Sequence, residues 1–276
     1  MRGLTGDLSA TVSILARGEV TPESVHRLRT TARRIESLVS YANPDLDKKL
    51  ERCQEKLADL RRRAGKVRDF DVQIGLLGVL ANGSTARDRE ILAALLGKKR
   101  DRQARRLTSA VIRLQGSKFF ARMDRLAERA GMEPEQRPQP PLQEARAQLA
   151  KMTNEFSSNQ GLGFKRLHDA RTRLKQIRYV AELAEESPER KVFIRELKTV
   201  QDAVGDWHDW QELTSTAEKR FSDRVNCALL REVRALLAAR HSTAVSAVDK
   251  IFTSALAPAR KPPQPVQPAR AFTRYA

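Results

Sequence analysis

Two short stretches of this chain set histidine and arginine at spacings that a helix would bring onto one side. His26-Arg27-Leu28-Arg29-Thr30-Thr31-Ala32-Arg33-Arg34-Ile35 is echoed 142 residues later by His168-Asp169-Ala170-Arg171-Thr172-Arg173-Leu174-Lys175-Gln176-Ile177. Both read His-x-x-Arg-Thr-x-x-(Arg/Lys)-x-Ile. With the histidine at 0° on a helical wheel, the first arginine falls at about 300° and the second cation at about 340°. Guanidinium forks match phosphate or carboxylate oxygens two at a time, and lysine adds a point charge. A histidine among cations has its pKa pushed down, and a bound polyanion would pull it back up. The chemistry such fronts can do is therefore capture of an anion, with His26 and His168 as neutral donors or as groups that charge on binding.

The same stretches carry an apolar back. Val25, Leu28, Ala32, Ile35 and Val39 centre at about 200° on the wheel, and Leu167, Ala170, Leu174, Ile177 and Ala181 repeat the arrangement. Each front thus rides on an amphipathic helix. Positions between the matched ones change freely: Arg27 aligns with Asp169, Arg34 with Gln176 and Ser37 with Tyr179. A solvated charged face is the plainer explanation of the cations, and their retention in both copies favours a functional front.

Helical periodicity runs through nearly the whole chain, and strand signals are almost absent. A short helix is expected over 7–17. Thr21-Pro22-Glu23-Ser24 has the capping hydroxyl, first-turn proline and acid of a helix start. Further helices are expected over 45–64, continuing past Gly65 to Leu80, then over 85–115 and 118–130. Residues 131–141 hold four prolines and read as a linker. After it come helices over 142–156, from about 164 to 186, 189–213 and 217–256, with Ser187-Pro188 as another start. The last stretch, 257–276, is proline-rich and basic and is expected to be a disordered tail.

The order repeats: short helix, His/Arg helix, helix broken at a glycine, long helix. Leu60-Arg61…Ala64-Gly65…Arg68-Asp69-Phe70 aligns with Val200-Gln201…Val204-Gly205…His208-Asp209-Trp210 at an offset of 140 residues. Two landmarks at nearly one offset predict an internal duplication. The expected fold is all-α: two four-helix bundles related by duplication and pseudo-twofold symmetry, 7–130 and 142–256, with a basic groove or pore between them.

Charge limits the partners. The 276 residues carry 52 Lys and Arg against 34 acids, a formal charge of +18, and the sequence pI is about 10.5. That imbalance costs self-repulsion and calls for a polyanion. Aromatic residues make up only 5%, which disfavours readers that stack bases on aromatic platforms. No glycine-rich loop is present to cradle a nucleotide. A groove built from two cationic fronts suits a long, flexible chain of phosphates. A helical nucleic-acid binder using the basic stretch 98–113 is the alternative.

Other chemistry is weaker. A metal site would need His26, His168 and His208 to converge with Asp69 or Asp209; no His-x-x-x-His pair exists and the cations would repel a divalent ion. Asp69, Asp71, Asp209 and Glu182 offer carboxylates but no nucleophile–base pair, so neither enzymatic activity nor a cofactor is expected. Asp69 and Asp209 are expected to pair with a neighbouring arginine at the helix break. Trp207 and Trp210 read as packing residues, and His241 as a solvated one. Cys53 and Cys227 lack zinc spacing and read as small buried residues of a reducing compartment. With no signal-peptide core and no apolar run of about 20 residues, a soluble cytoplasmic protein is expected.

The paired His-x-x-Arg-x-x-x-(Arg/Lys) helices, followed by Leu-Arg-x-x-x-Gly-x-x-Arg-Asp-x-Asp-Val, resemble the CHAD family, the conserved-histidine α-helical domain. Leu167-His168-Asp169-Ala170-Arg171-x-x-Leu174-Lys175-x-x-Arg178-Tyr179-x-x-Glu182-Leu183 is similar to that family's C-terminal signature, as is Leu197-Lys198-x-x-Gln201-Asp202-x-x-Gly205-x-x-x-Asp209. The resemblance spans 7–256. It implies inorganic polyphosphate as ligand and association with polyphosphate granules. The contacts it implies are His26, Arg29, Arg33, Arg34, Arg61 and Arg68, with His168, Arg171, Lys175, Arg178 and Lys198. The chain departs from the family pattern at Glu36, at Gln176 opposite Arg34, and at His208. Nothing resembles a triphosphate-tunnel barrel, which implies a stand-alone binding module.

Overall fold

In the computed structural model, residues 2–42, 46–80, 85–131, 139–156, 162–224 and 226–256 are described. The expected linker, apart from its ends, and the expected tail lie outside them. The described residues form nine α-helices and no strand: α1 (Arg2–Ala16), α2 (Pro22–Ala42), α3 (Lys48–Val79), α4 (Ala86–Gln115), α5 (Phe119–Gly131), α6 (Pro141–Phe156), α7 (Phe164–Glu182), α8 (Pro188–Arg220) and α9 (Ala228–Leu256). The fold is all-α.

The helix starts follow local chemistry. At α2 the Thr21 and Ser24 side chains cap reciprocally: the Ser24 backbone N–H donates to Thr21 Oγ1 at 3.2 Å and the Thr21 N–H to Ser24 Oγ at 3.0 Å. Asp47 accepts from the N–H groups of Lys49 and Leu50 before α3, at 2.8 and 2.9 Å. Ser187 accepts from Arg190 N–H at 3.1 Å ahead of Pro188.

Two expectations about helix continuity are corrected. Neither Gly65 nor Gly205 breaks its helix, since α3 and α8 run straight through them. One interior glycine costs about 1 kcal/mol, and the buried faces formed by Leu60, Ala64 and Val67, and by Val200, Val204 and Trp207, offset it. Likewise, no helix starts at 217. Helix α8 runs on to Arg220, the Phe221 N–H closes it on Ala217 O at 2.9 Å, and α9 starts at Ala228. Ala217 and Phe221 are buried on one face, and that packing carries α8 beyond the expected end.

Packing sorts the helices into neighbours. Helices α1 and α3 each lie against both α2 and α4, with α5 across one end; in the second set α7 lies between α6 and α8, and α9 packs on α8 and α6. The sets meet where α2 packs on α7 and α3 on α8. Leu8, Val25, Leu57 and Leu107 belong to one core, and Leu149, Leu174, Leu197 and Val248 to a second. A third core was not anticipated. It joins Leu77, Leu80, Leu92 and Leu96 of the α3–α4 hairpin to Trp210, Leu213, Phe221 and Val233 from α8 and α9. Burial of these side chains fixes α3 against α8, and so sets how the fronts on α2 and α7 meet.

Candidate anion-binding site

Because α2 packs on α7, Arg29 and Arg33 come to face Arg171 and Lys175. Four cations then share one half-buried region, where water screens them poorly. Arg29, with 17% of its side chain exposed, lies 3.4 Å from Asp69 Oδ1, and its Nη1 sits over Gly65, where an added Cβ would be 3.8 Å away. Arg33 Nη1 donates to the Tyr179 hydroxyl at 3.5 Å. Arg171 is balanced chiefly by the charge of Asp209. Its buried Nε has no hydrogen-bond partner among the described residues.

The electrostatics record the crowding. Burial above all, then Arg171, Arg33 and Arg29, push the Lys175 amine down from 10.5 to about 6, with Asp209 pulling the other way. Burial, and then like charge, also lower Arg29 and Arg171 below the ordinary arginine value. Asp209 is raised, by burial first and by Asp69 as well, with Arg171 opposing. Two carboxylates thus stand against three guanidinium groups and an amine that is largely unprotonated at neutral pH, and the surplus is positive.

A cavity of about 610 Å³ opens beside this cluster. Arg33, Arg61, Arg171 and Lys175 line it, with Glu36 and Glu144 on its wall and Tyr179 and Gln176 at its side. Arg61 is held by Glu36, Nε to Oε2 at 2.6 Å, and burial raises the Glu36 carboxyl despite that pairing. Tyr41 and Tyr179 are the aromatic side chains of its lining.

The remaining anticipated residues are spread around this centre. His26 is exposed, 3.4 Å from Thr30 Oγ1, and is lowered by burial, then by Arg68 and Arg29. His168 is exposed and its ring stands 5.4 Å from that of His208. Burial, Arg171, His168 and Lys175 push His208 to about 3, so it is neutral at physiological pH. Arg34 and Arg178 both turn to Glu182, at 3.7 and 2.9 Å, and neither lines the cavity. Arg178 also donates to Gln201 Oε1 at 2.8 Å, and Gln201 donates to Leu174 O at 2.7 Å. That chain ties α7 to α8 directly behind the front. Lys198 is exposed on α8, away from the cavity.

Three features escaped sequence reasoning. Asp69 pairs with Arg29 across helices and not with a neighbour at a helix break. Tyr179 reaches Arg33 from the opposite front, a contact for which the sequence carries no signal beyond its place next to Arg178. His241 is half-buried, its ring 4.8 Å from Phe164 and 6.1 Å from Trp207. Trp207 and Trp210 are buried, as are both free cysteines. Among the described residues no three His, Cys, Asp or Glu side chains are placed to hold a metal ion, and no helix is long and apolar enough to cross a membrane.

The family model described as "CHAD domain" matches residues 5–218. Among solved structures, the CHAD domain from the plant Ricinus communis superposes with a TM-score of 0.63 at 18% identity, covering 93% of this chain and 91% of that one. PptA from Streptomyces chartreusis superposes with a TM-score of 0.55 at 20% identity, covering 91% of this chain and 97% of its own. These likenesses concern the fold. No curated protein sequence matches the chain.

Proposed function

The chain belongs to the CHAD-domain family, and from that footing we propose that it binds inorganic polyphosphate at the α2–α7 surface. The family is linked in general to polyphosphate binding. The observation that carries the reading here is the crowding of Arg29, Arg33, Arg171 and the Lys175 amine beside a cavity, with Asp69 and Asp209 as the carboxylates set against them and Glu36 engaged by Arg61. In an isolated fold that arrangement is costly, and a polyanion relieves it. Arginine forks contact phosphate oxygens, and Lys175 takes up a proton as it does so. Arg61 joins them when Glu36 releases it. His26, His168 and Arg68 border the ligand, while Arg34, Arg178 and Lys198 contribute long-range charge.

In this reading the α1–α4 and α6–α9 sets descend from one duplicated four-helix unit. The matched fronts of α2 and α7 form the two walls of a basic groove. The protein acts by binding, without catalysis, in the cytoplasm and at polyphosphate granules. The test is titration with long-chain polyphosphate and with duplex DNA at equal phosphate concentration over a series of salt concentrations. Polyphosphate binding that persists at physiological salt and exceeds DNA binding is expected. Preference for DNA, or loss of both at physiological salt, overturns the proposal.

A further inference from the structure

Helix α4 carries a second concentration of positive charge that the α2–α7 site does not use. Lys98, Lys99, Arg102, Arg105, Arg106 and Arg113 are all exposed. On the helical wheel they span about 120°, with Ser109 in their midst and no acid among them. The buried side chains Leu92, Leu96, Leu107, Val111 and Leu114 lie on the opposite side. The one acid of this stretch, Asp101, falls outside the face and stands 3.9 Å from Arg100. Arg100 itself turns inward to Asp71 at 3.0 Å. None of the six exposed cations makes an ion pair among the described residues. A merely solvated helix face gains from acids placed three or four residues from its cations, and like charges at that spacing destabilise it. Asp101 relieves Lys98 and Arg105 at that spacing, but Lys99, Arg102, Arg106 and Arg113 have no acid three or four residues away and bear the repulsion over about 21 Å of helix.

Its position matters as much as its charge. Helices α1 and α3 each pack on both α2 and α4, so α2 and α4 stand at opposite corners of that four-helix set. With neighbouring axes 8–10 Å apart, the diagonal is about 13 Å, and the two cationic faces point away from each other. A strand lying along α2 and α7 cannot touch the α4 face without wrapping around the bundle.

We propose that the outer face of α4 is a second polyanion-binding surface, so that one molecule holds two polyphosphate strands and cross-links them. The proposal rests on the polyphosphate reading of the α2–α7 site. The occupant is a linear polyphosphate because the face offers charge and nothing else: α4 has no aromatic side chain to stack on a base, and its exposed cationic side has no amide to read one. Binding there is shallow and salt-sensitive, with six contacts giving a slope of log affinity on log salt of about −4. Binding in the cavity is less so, because its cations are half-buried.

The experiment is a capture assay. Long-chain polyphosphate is fixed to a surface, the full-length protein is loaded and washed, and fluorescent polyphosphate or fluorescent duplex DNA is applied. The native protein is expected to retain the fluorescent polyphosphate. A variant with Lys98, Lys99, Arg102, Arg105, Arg106 and Arg113 all changed to Gln is expected to load equally on the surface but to capture at least about tenfold less. The smaller change Arg102→Glu with Arg106→Glu should give the same loss, and circular dichroism checks that both variants are folded. Equal capture by the Gln variant overturns the inference, since the second strand would then be held elsewhere or through a second copy. Native protein that loads but captures nothing, or captures only DNA, also overturns it and leaves the polyphosphate site standing. Failure of the native protein to load at all overturns the site reading and this inference with it.

Discussion

Replacing Lys175 with Met should stabilise the free protein and weaken its hold on polyphosphate. The Lys175 amine is pushed from 10.5 to about 6 by burial and by Arg171, Arg33 and Arg29. Between those values the unfolded chain binds a proton that the folded one does not, so stability rises with pH across the window, by at most about 1.4 kcal/mol per pH unit. At pH 7.5 the chain gives up that proton to fold, at a cost of no more than about 4 kcal/mol. Side-chain relaxation and water entry reduce such penalties, so Lys175→Met should gain about 1–3 kcal/mol. Denaturant unfolding at pH 7.5 measures it. Binding should show the mirror image. Polyphosphate raises the amine's pKa and draws in one proton, so native affinity should fall as pH climbs from 6 to 8.5, by at most about tenfold per unit. His208, at about 3, stays neutral throughout and adds nothing to the slope. His26 is lowered by burial, then by Arg68 and Arg29. Among the carboxylates that face the cluster, burial raises Asp209 and Glu36, with Arg171 opposing at the first and Arg61 at the second. In Lys175→Met the pH slope should flatten and affinity at pH 6 should drop. A native profile flat between pH 6 and 8.5, or a variant less stable than native at pH 7.5, would refute the electrostatic account of the cluster.

Arg29→Ala combined with Arg171→Ala should weaken polyphosphate binding by about a hundredfold or more, as two charged hydrogen-bonding groups are lost. Lys98→Gln with Lys99→Gln should change the tight phase only a few-fold, and calorimetric titration separates the two; equal losses would mean diffuse attraction. Glu36→Gln removes a half-buried acid from the cavity wall and frees Arg61, so affinity should rise a few-fold at fixed salt, and a fall would mean that Glu36 orients Arg61 for the ligand. Trp210→Ala in the third core, where the side chain is 3% exposed, should cost about 3–5 kcal/mol in denaturant unfolding. Val79→Ala, at a 76% exposed position nearby, should stay within about 0.5 kcal/mol of native.

Much of the architecture is local chemistry and was legible as such. Thr21, Ser24 and Ser187 cap helices where capping side chains and prolines predict them, because a cap depends on a few adjacent residues. The apolar backs of α2 and α7 are buried where the wheel puts them, since period alone decides which side of a helix meets a core. Where local signals misled, longer contacts had overridden them. Gly65 and Gly205 looked like breaks, and the burial of their neighbours carries the helices through.

The sequence by itself determined that this chain is helical, strongly basic and provided with two His/Arg fronts, because composition and a 3.6-residue period require no knowledge of what packs on what. Only the tertiary structure decided which charges meet. Arg34 and Arg178 lie on the same helices as Arg33 and Lys175, yet both turn to Glu182 while the latter pair opens onto the cavity. A rotation of one or two residues around a helix separates those fates, and the packing of α2 on α7 selects between them. That packing depends on the joining of the α3–α4 and α8–α9 hairpins through Leu77, Leu92, Trp210 and Phe221. Those side chains are far apart in the chain, and their meeting is a property of the whole fold that no stretch of sequence displays.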